Sequence, residues 1–249
     1  MTMGTVPHST SPSMNPLTRF DRIYVINLPA RADRRAEIQV QLQRVGLALD
    51  RAPVRLFPAV RPDAPGPFPS IGARGCFLSH LGVLKDAAAA GCQRILIFED
   101  DLDFSPAGLA AIEPALHALD VQPWGMFYGG YRIDPMPRGE GPIHAVAPDT
   151  VIGTTHFVGL NAPWIGAAAE YLDAMLQRPA GDPNGGPMHV DGAYSWLRAA
   201  HPEMPTWVAT PELGDQRPSR TDIHDLRWYD AWPGVRNLAH LARRLRARR

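Results

Sequence analysis

Lysine and cysteine are nearly absent from this chain of 249 residues, and long apolar runs are missing. Lys85 is the single lysine, and Cys76 and Cys92 are the two cysteines. Two cysteines are too few for a disulfide framework, which predicts free core thiols in a reducing cytoplasm. No apolar stretch approaches the roughly 20 residues that span a bilayer, and the first residues lack the apolar segment of a secretory signal. The composition therefore excludes a membrane-spanning or disulfide-rich class.

The charges balance, with 25 basic and 25 acidic residues. A general nucleic-acid binder usually carries a strong basic excess, so we expect no nucleic acid among the partners. Arginine supplies almost all of the positive charge, and the last residues, RNLAHLARRLRARR, are rich in it. This C-terminal segment, 233–249, has the pattern of a basic amphipathic helix, which favours either contact with an anionic membrane surface or docking of a solvated tail on the domain.

Apolar periodicity predicts strands alternating with helices. Strand patterns occur at RIYVINL, VRLFPAV, RILIF, WGMFYGG and TTHFVGLNA, and helical stripes follow several of them. This order is typical of an α/β three-layer domain with a mainly parallel central sheet. We assign the domain to residues 19–232 and expect a disordered, Ser/Thr/Pro-rich tail over residues 1–18.

Carboxylates are concentrated directly after one predicted buried strand, in the stretch ILIFEDDLDF. Glu99, Asp100 and Asp101 begin where the apolar residues end, and ligands of open α/β sheets bind at the carboxyl ends of strands. Crowded carboxylates repel one another unless a cation neutralises them, and oxygen ligands favour Mg²⁺ or Mn²⁺. The alternative is a solvated acidic turn in which one Asp caps a helix beginning near Ser105.

Three motifs in order resemble glycosyltransferase family 25, which includes bacterial lipooligosaccharide β-galactosyltransferases and animal collagen galactosyltransferases. They are YVINLPARADRRAEI, GCFLSH and ILIFEDD, and the match is strong from about residue 22 to 104. The resemblance implies a GT-A-like fold, a nucleotide-sugar donor and inversion at the anomeric carbon. Pro29 and Ala30, and a long insert around residues 133–149, depart from the family pattern.

The resemblance also assigns roles to residues. The predicted metal ligands for Mn²⁺ or Mg²⁺ are Asp101, Glu99 and His224. The predicted donor-binding residues are Asn27, Arg31, Arg34, Arg35, Ser79, His80, Glu99 and Asp100. Guanidinium groups bind phosphates bidentately and a helix N-terminus favours anions, although one of the three arginines is expected to be a plain surface charge. A histidine inside a helix is equally compatible with a hydrogen-bonding core residue.

Asp191 is the predicted catalytic base. Inverting transfer needs a group that deprotonates the acceptor hydroxyl opposite the leaving group, and Asp191 begins a predicted helix after a flexible loop. The alternative for this residue is an ordinary helix N-cap.

The expected function is a metal-dependent, inverting hexosyltransferase. It would move a hexose, with galactose favoured, from a UDP-sugar to a saccharide or lipid-linked saccharide of lipopolysaccharide, lipooligosaccharide or another surface glycan. Two alternatives stay open: a non-catalytic nucleotide-sugar or glycan-binding protein of the same fold, and a Mg²⁺-dependent phosphohydrolase.

Overall fold

A computed structural model of the protein describes residues 15–136 and 139–217. The short 3-10 helix Pro16–Arg19 is part of this structure, and Leu17 within it is fully buried. The last residues of the predicted N-terminal tail are therefore folded, because Leu17 inserts into the core. The rest of that tail, His224 and the predicted C-terminal helix lie outside the described residues.

Within the described residues, nine strands form two sheets. Their bounds are β1 Arg22–Asn27, β2 Val54–Pro58, β3 Arg94–Glu99, β4 Leu102–Asp103, β5 Met126–Arg132, β6 Ile143–Val146, β7 Gly153–Asn161, β8 Thr206–Ala209 and β9 Asp215–Gln216.

The main sheet has seven strands in the order β2-β1-β3-β7-β5-β8-β6. Pairings of β1 with β2, of β1 with β3 and of β5 with β8 are parallel, whereas β7 and β6 are antiparallel to their neighbours. Five strands consequently run in one direction. This arrangement confirms the predicted α/β class with a mainly parallel sheet.

Five α-helices in the described part of the chain cover the main sheet. They are α1 Ala32–Arg44, α2 Ile71–Ala89, α3 Pro106–Asp120, α4 Trp164–Leu176 and α5 Val190–Ala200. Apolar residues of α1 and α3 share one core with alternate side chains of β1 and β3, such as Val25 and Phe98. Helices α2, α4 and α5 pack against one another and contact strands β1, β2, β3 and β7. Side chains alternate along a strand, so the sheet has a core on each face.

Periodicity did not predict three features of the sheets. The long insert around residues 133–149, expected to be a loop, contains β6, which pairs with β8 as an edge strand. The strand predicted at TTHFVGLNA is β7, which is antiparallel to β3 in the centre of the mainly parallel sheet. A small second sheet, β4 with β9, follows the acidic motif. These pairings join residues distant in sequence, which periodicity does not reveal.

Among the described helices, none combines the length and apolar character needed to cross a bilayer.

Candidate functional site

The predicted carboxylates lie at the edge of the main sheet where β1 and β3 end. The parallel register pairs Ile26 with Glu99, which brings the next residues, Asn27 and Asp100, side by side. Strand β7 is antiparallel to β3 and pairs Phe157 with Phe98, so its first residues reach the same edge. Sheet topology thus gathers side chains from three strands at one point.

Asp100 is buried and its carboxylate has partners on both oxygens. Asn27 donates from Nδ2 to Asp100 Oδ2 at 2.7 Å, and Arg34 donates to Oδ1 at 2.9 Å. Asn27 is only 2% exposed and its Oδ1 accepts a hydrogen bond from Arg35 Nε at 3.2 Å. Charge-assisted bonds of this kind fix the end of β3 against the start of α1. Asn27 therefore positions Asp100, and its predicted role in donor binding stays a prediction.

The other two predicted phosphate-binding arginines have protein partners too. Arg31 forms an exposed ion pair with Asp33 at 2.6 Å, and Arg35 also donates to the Pro29 carbonyl at 2.8 Å. The Arg31 guanidinium holds the pKa of Asp33 at about 2. A phosphate would have to displace these partners from the arginines. The ion pair of Arg31 is exposed, so its partner is the easiest to displace.

The Glu99 side chain lies on the opposite face of the sheet from that of Asp100. Its Oε1 accepts a hydrogen bond from Thr155 Oγ1 at 2.6 Å and lies 3.4 Å from His80 Nε2. His80 is fully buried, and its Nδ1 lies 3.1 Å from the Tyr194 hydroxyl. Burial raises the pKa of Glu99, but His80 and the Thr155 hydroxyl outweigh that effect, so the pKa lies below its usual value. Glu99 is thus an ionised carboxylate at neutral pH.

Among Glu99, Asp100 and Asp101, Asp101 has the longest contacts with neutralising groups. Its Oδ2 lies 3.4 Å from Gln216 Nε2 and 3.9 Å from Arg34, and its buried Oδ1 has no hydrogen-bond partner in the described part of the chain. Burial, followed by the charges of Glu99 and Asp100, raises the pKa of Asp101 to about 7. An orphaned buried oxygen is costly unless another group binds it.

Asp191 lies in the first turn of α5 and faces the same region. Its Oδ2 accepts the Thr154 backbone N–H at 3.2 Å, and its Oδ1 accepts that of Gly192 at 2.8 Å. Thr154 has a φ of 64°, a strained value for a β-branched residue. Burial raises the pKa of Asp191, and the charge of Glu99 adds to that rise. The N-cap of α5 is His189, so Asp191 is not the simple cap of the alternative interpretation.

Ser79 has a different environment from the predicted one. Its hydroxyl donates to the Gly75 carbonyl at 2.6 Å and accepts the Val60 N–H at 2.8 Å, and the residue is 1% exposed. The side chain fastens the loop after β2 to α2. We therefore remove Ser79 from the donor-binding set, because its bonding capacity serves the backbone.

Sequence reasoning treated Cys76 as a packing residue and did not single out Thr155 or Gln216. Both cysteines are free and half-buried, not core thiols. The ligand atoms of Cys76, His80 and Glu99 lie within 4.8 Å of one another. A usable pattern was present, because Cys76 and His80 are four residues apart and so share one face of a helix. No local pattern pointed to Thr155 or Gln216, which arrive through long-range strand pairing.

The residues present fit a divalent cation. The negative charge of Glu99 acts on Asp101, and Asp101 offers an oxygen with no other partner among described residues. Oxygen ligands of this type suit Mg²⁺ and Mn²⁺.

Comparisons with known proteins support the resemblance to glycosyltransferase family 25. No model of a known protein family matches the chain. The human "Inactive glycosyltransferase 25 family member 3" is 27% identical over 184 residues, covering 66% of this chain and 31% of the human protein. "Procollagen galactosyltransferase 1-A" of Xenopus laevis is 28% identical over 160 residues, covering 57% of this chain and 26% of that protein. The chain is thus similar to members of glycosyltransferase family 25, as its motifs predict.

These matches reach only about a third or less of the length of the curated relatives. A solved structure, "a glycosyltransferase involved in the glycosylation of the major capsid of PBCV-1", aligns with a TM-score of 0.47 and 13% identity, covering 80% of this chain and 93% of that one.

Proposed function

We propose that the protein is a metal-dependent, inverting glycosyltransferase. It transfers a hexose, with galactose favoured, from a UDP-sugar to a saccharide acceptor of lipopolysaccharide, lipooligosaccharide or another surface glycan. The proposal draws on the family 25 relatives, which include a procollagen galactosyltransferase, and on the carboxylates at the sheet edge.

The environment of Asp101 is the observation that carries the proposal. A buried carboxylate with an orphaned oxygen and two acidic neighbours is destabilising by itself and becomes favourable once a cation binds. Asp101 and Glu99 would hold Mn²⁺ or Mg²⁺, with His224, outside the described residues, as the predicted third ligand. When bound, the ion supplies positive charge that stabilises a departing nucleoside diphosphate.

The arginines of α1 supply the remaining positive charge. Arg34 is committed to Asp100, so its role is to hold the end of β3 in place. Arg31 and Arg35 lie at the start of the same helix, where the helix dipole also favours anions. We assign these two residues to the donor pyrophosphate.

Asp191 is the proposed base. Two backbone N–H groups orient its carboxylate, and its raised pKa suits it to accept a proton from an acceptor hydroxyl. Held by α5 and the strained backbone at Thr154, the carboxylate has a fixed direction relative to Glu99.

The name of the human relative, which contains the word inactive, favours a second candidate function. In that case the protein binds a nucleotide sugar or glycan and performs no transfer. The two candidates share the binding site and differ in the chemistry alone.

Nucleotide-sugar binding and turnover separate the candidates. We expect UDP-hexoses with Mn²⁺ to raise the unfolding midpoint, since a ligand at a hundred times its Kd adds about 2.7 kcal/mol. Release of UDP from the stabilising donor, measured with a coupled assay, should fall about 10²-fold or more in Asp191→Asn. Cys92→Ser is the matched control, because Cys92 lies at the far end of α2 from this site.

Stabilisation without UDP release, with or without added saccharides, would replace the transferase by the binding protein. Absence of stabilisation by any nucleotide sugar would overturn both. Release of phosphate from simple phosphomonoesters would instead favour the phosphohydrolase.

A cytoplasmic location and peripheral membrane contact through segment 233–249 complete the proposal. The free cysteines and the arginine-rich sequence of that segment motivate it. Co-sedimentation with anionic vesicles, compared for the full chain and a chain ending at residue 232, tests the contact. Equal sedimentation of the two would contradict it.

A further inference from the structure

A group of soft and borderline ligands lies next to Asp101 and shares Glu99 with the proposed Mn²⁺ or Mg²⁺ site. It consists of the Cys76 thiol, the His80 imidazole and the Glu99 carboxylate, whose ligand atoms all lie within 4.8 Å of one another. We propose that these three residues form a site that prefers Zn²⁺, whereas the oxygen ligands at Asp101 prefer Mg²⁺ or Mn²⁺.

The separation of His80 and Glu99 already matches zinc geometry. His80 Nε2 and Glu99 Oε1 are 3.4 Å apart. Two ligand atoms at about 2.0–2.1 Å from one tetrahedral Zn²⁺ lie about 3.3–3.4 Å from each other. The Cys76 sulfur needs only a small inward movement, since it lies within 4.8 Å of both atoms and Zn–S bonds are longer than Zn–N bonds.

Two rigid elements hold the ligands. Cys76 and His80 are four residues apart on α2 and project from one helix face, and Glu99 ends β3 in the middle of the sheet. Tyr194 lies 3.1 Å from His80 Nδ1 and Thr155 donates to Glu99 at 2.6 Å. Such outer partners orient imidazole and carboxylate ligands in zinc sites.

The proton balance of binding is simple. Cys76 loses its thiol proton to the solvent as the thiolate binds. The proton between His80 Nε2 and Glu99 moves to Nδ1, where the Tyr194 hydroxyl changes from donor to acceptor. A hydroxyl can serve in either sense, so the contact between His80 Nδ1 and Tyr194 is kept.

Three protein ligands leave one tetrahedral position open, as in zinc sites that accept water or an exchangeable ligand. Thiolate and imidazole favour Zn²⁺ or Co²⁺ over Mg²⁺ and Mn²⁺. This inference does not depend on the proposed transferase function, because metal binding is measured without substrate.

Cobalt substitution in the full chain, stripped of metal and kept reduced, tests the site. We expect the visible bands of tetrahedral Co²⁺ together with a near-ultraviolet thiolate-to-cobalt band, both removed by Zn²⁺. The chain has only two cysteines, so two variants assign the thiolate band. Cys76→Ser should abolish it and weaken Zn²⁺ binding at least about tenfold, whereas Cys92→Ser should leave both unchanged.

Metal protection in the wild-type protein provides a second measurement that needs no variant. Zn²⁺ should slow alkylation of Cys76 and leave Cys92 unaffected, as located by peptide mass spectrometry. A thiolate band that persists in Cys76→Ser, a cobalt spectrum without any thiolate band, or equal alkylation of Cys76 with and without Zn²⁺ would overturn the proposal.

Discussion

Two adjacent groups of residues at the sheet edge differ in how far protein partners neutralise their carboxylates. The arginine cluster, Asn27, Arg34, Arg35 and Asp100, gives each oxygen of its carboxylate a donor. The carboxylate cluster consists of Glu99, Asp101 and Asp191. One buried oxygen of Asp101 has no partner among the described residues, and the pKa values of Asp101 and Asp191 are raised. Consecutive residues of one acidic motif thus differ: protein donors neutralise Asp100, whereas Asp101 takes up a proton more readily and is the residue that we propose for a cation.

Breaking the arginine cluster should have the largest effect. Asp100→Ala removes the acceptor that Asn27 and Arg34 share in a buried position. Losing one partner of a buried pair costs about 3–5 kcal/mol. We expect a loss of about 3 kcal/mol in the free energy of unfolding, measured by urea denaturation, because Arg34 keeps some exposure to water. A loss as small as that of a surface pair would contradict the contrast between the clusters.

Removing one charge from the carboxylate cluster should instead increase the free energy of unfolding. The folded pKa of Asp101, about 7, lies above its ordinary value of 3.8. The folded state therefore binds this proton more tightly than the unfolded chain, and the ionised carboxylate lowers stability progressively as pH rises from about 4 to about 7. Asp101→Asn removes this penalty, so without metal it should be more stable than the wild type above pH of about 7, by on the order of 2–4 kcal/mol.

Denaturation of both proteins between pH 5 and 8 measures that difference. It should grow with pH and then reach a plateau. A stability difference that stays constant from pH 5 to 8 would contradict a pKa of Asp101 that burial raises.

A divalent cation should reduce the stability difference between the same two proteins. Mn²⁺ at a hundred times its Kd should stabilise the wild type by about 2.7 kcal/mol and Asp101→Asn by clearly less. Thermal unfolding with and without Mn²⁺ gives the comparison. Equal stabilisation of wild type and variant would place the ion elsewhere on the protein.

The smallest effect should come from the exposed counterpart of the arginine cluster. Asp33, in the first turn of α1, forms an ion pair with Arg31, and Asp100 forms one with Arg34. Water screens the exposed pair of Asp33 and Arg31. Asp33→Ala should leave the urea midpoint close to that of the wild type. This variant is the matched control for Asp100→Ala, and a similar loss in both would show that burial is not what separates the pairs.

The first half of the chain was the more predictable one. Strands β1 and β3 follow from apolar runs that stop abruptly, and the carboxyl-edge rule correctly placed the acidic residues at one edge of the sheet. The helix predicted to begin at Asp191 is α5, Val190–Ala200. In these segments local periodicity and tertiary packing agree.

The second half was less predictable because its strands pair over long distances. Antiparallel β7 brings Thr155 to Glu99, and β9 brings Gln216 to Asp101, across separations of 56 and 115 residues. The proximity of Cys76 to Glu99 likewise depends on how α2 packs on the sheet.

By itself the sequence determined the α/β class, the position of the acidic motif at a strand end and the family resemblance, since these depend on local spacing and composition. The tertiary structure alone decided which carboxylate is neutralised, which keeps an orphaned oxygen and which thiol joins the site. Burial and charge–charge distances set those outcomes, and both arise from contacts between segments remote in the chain.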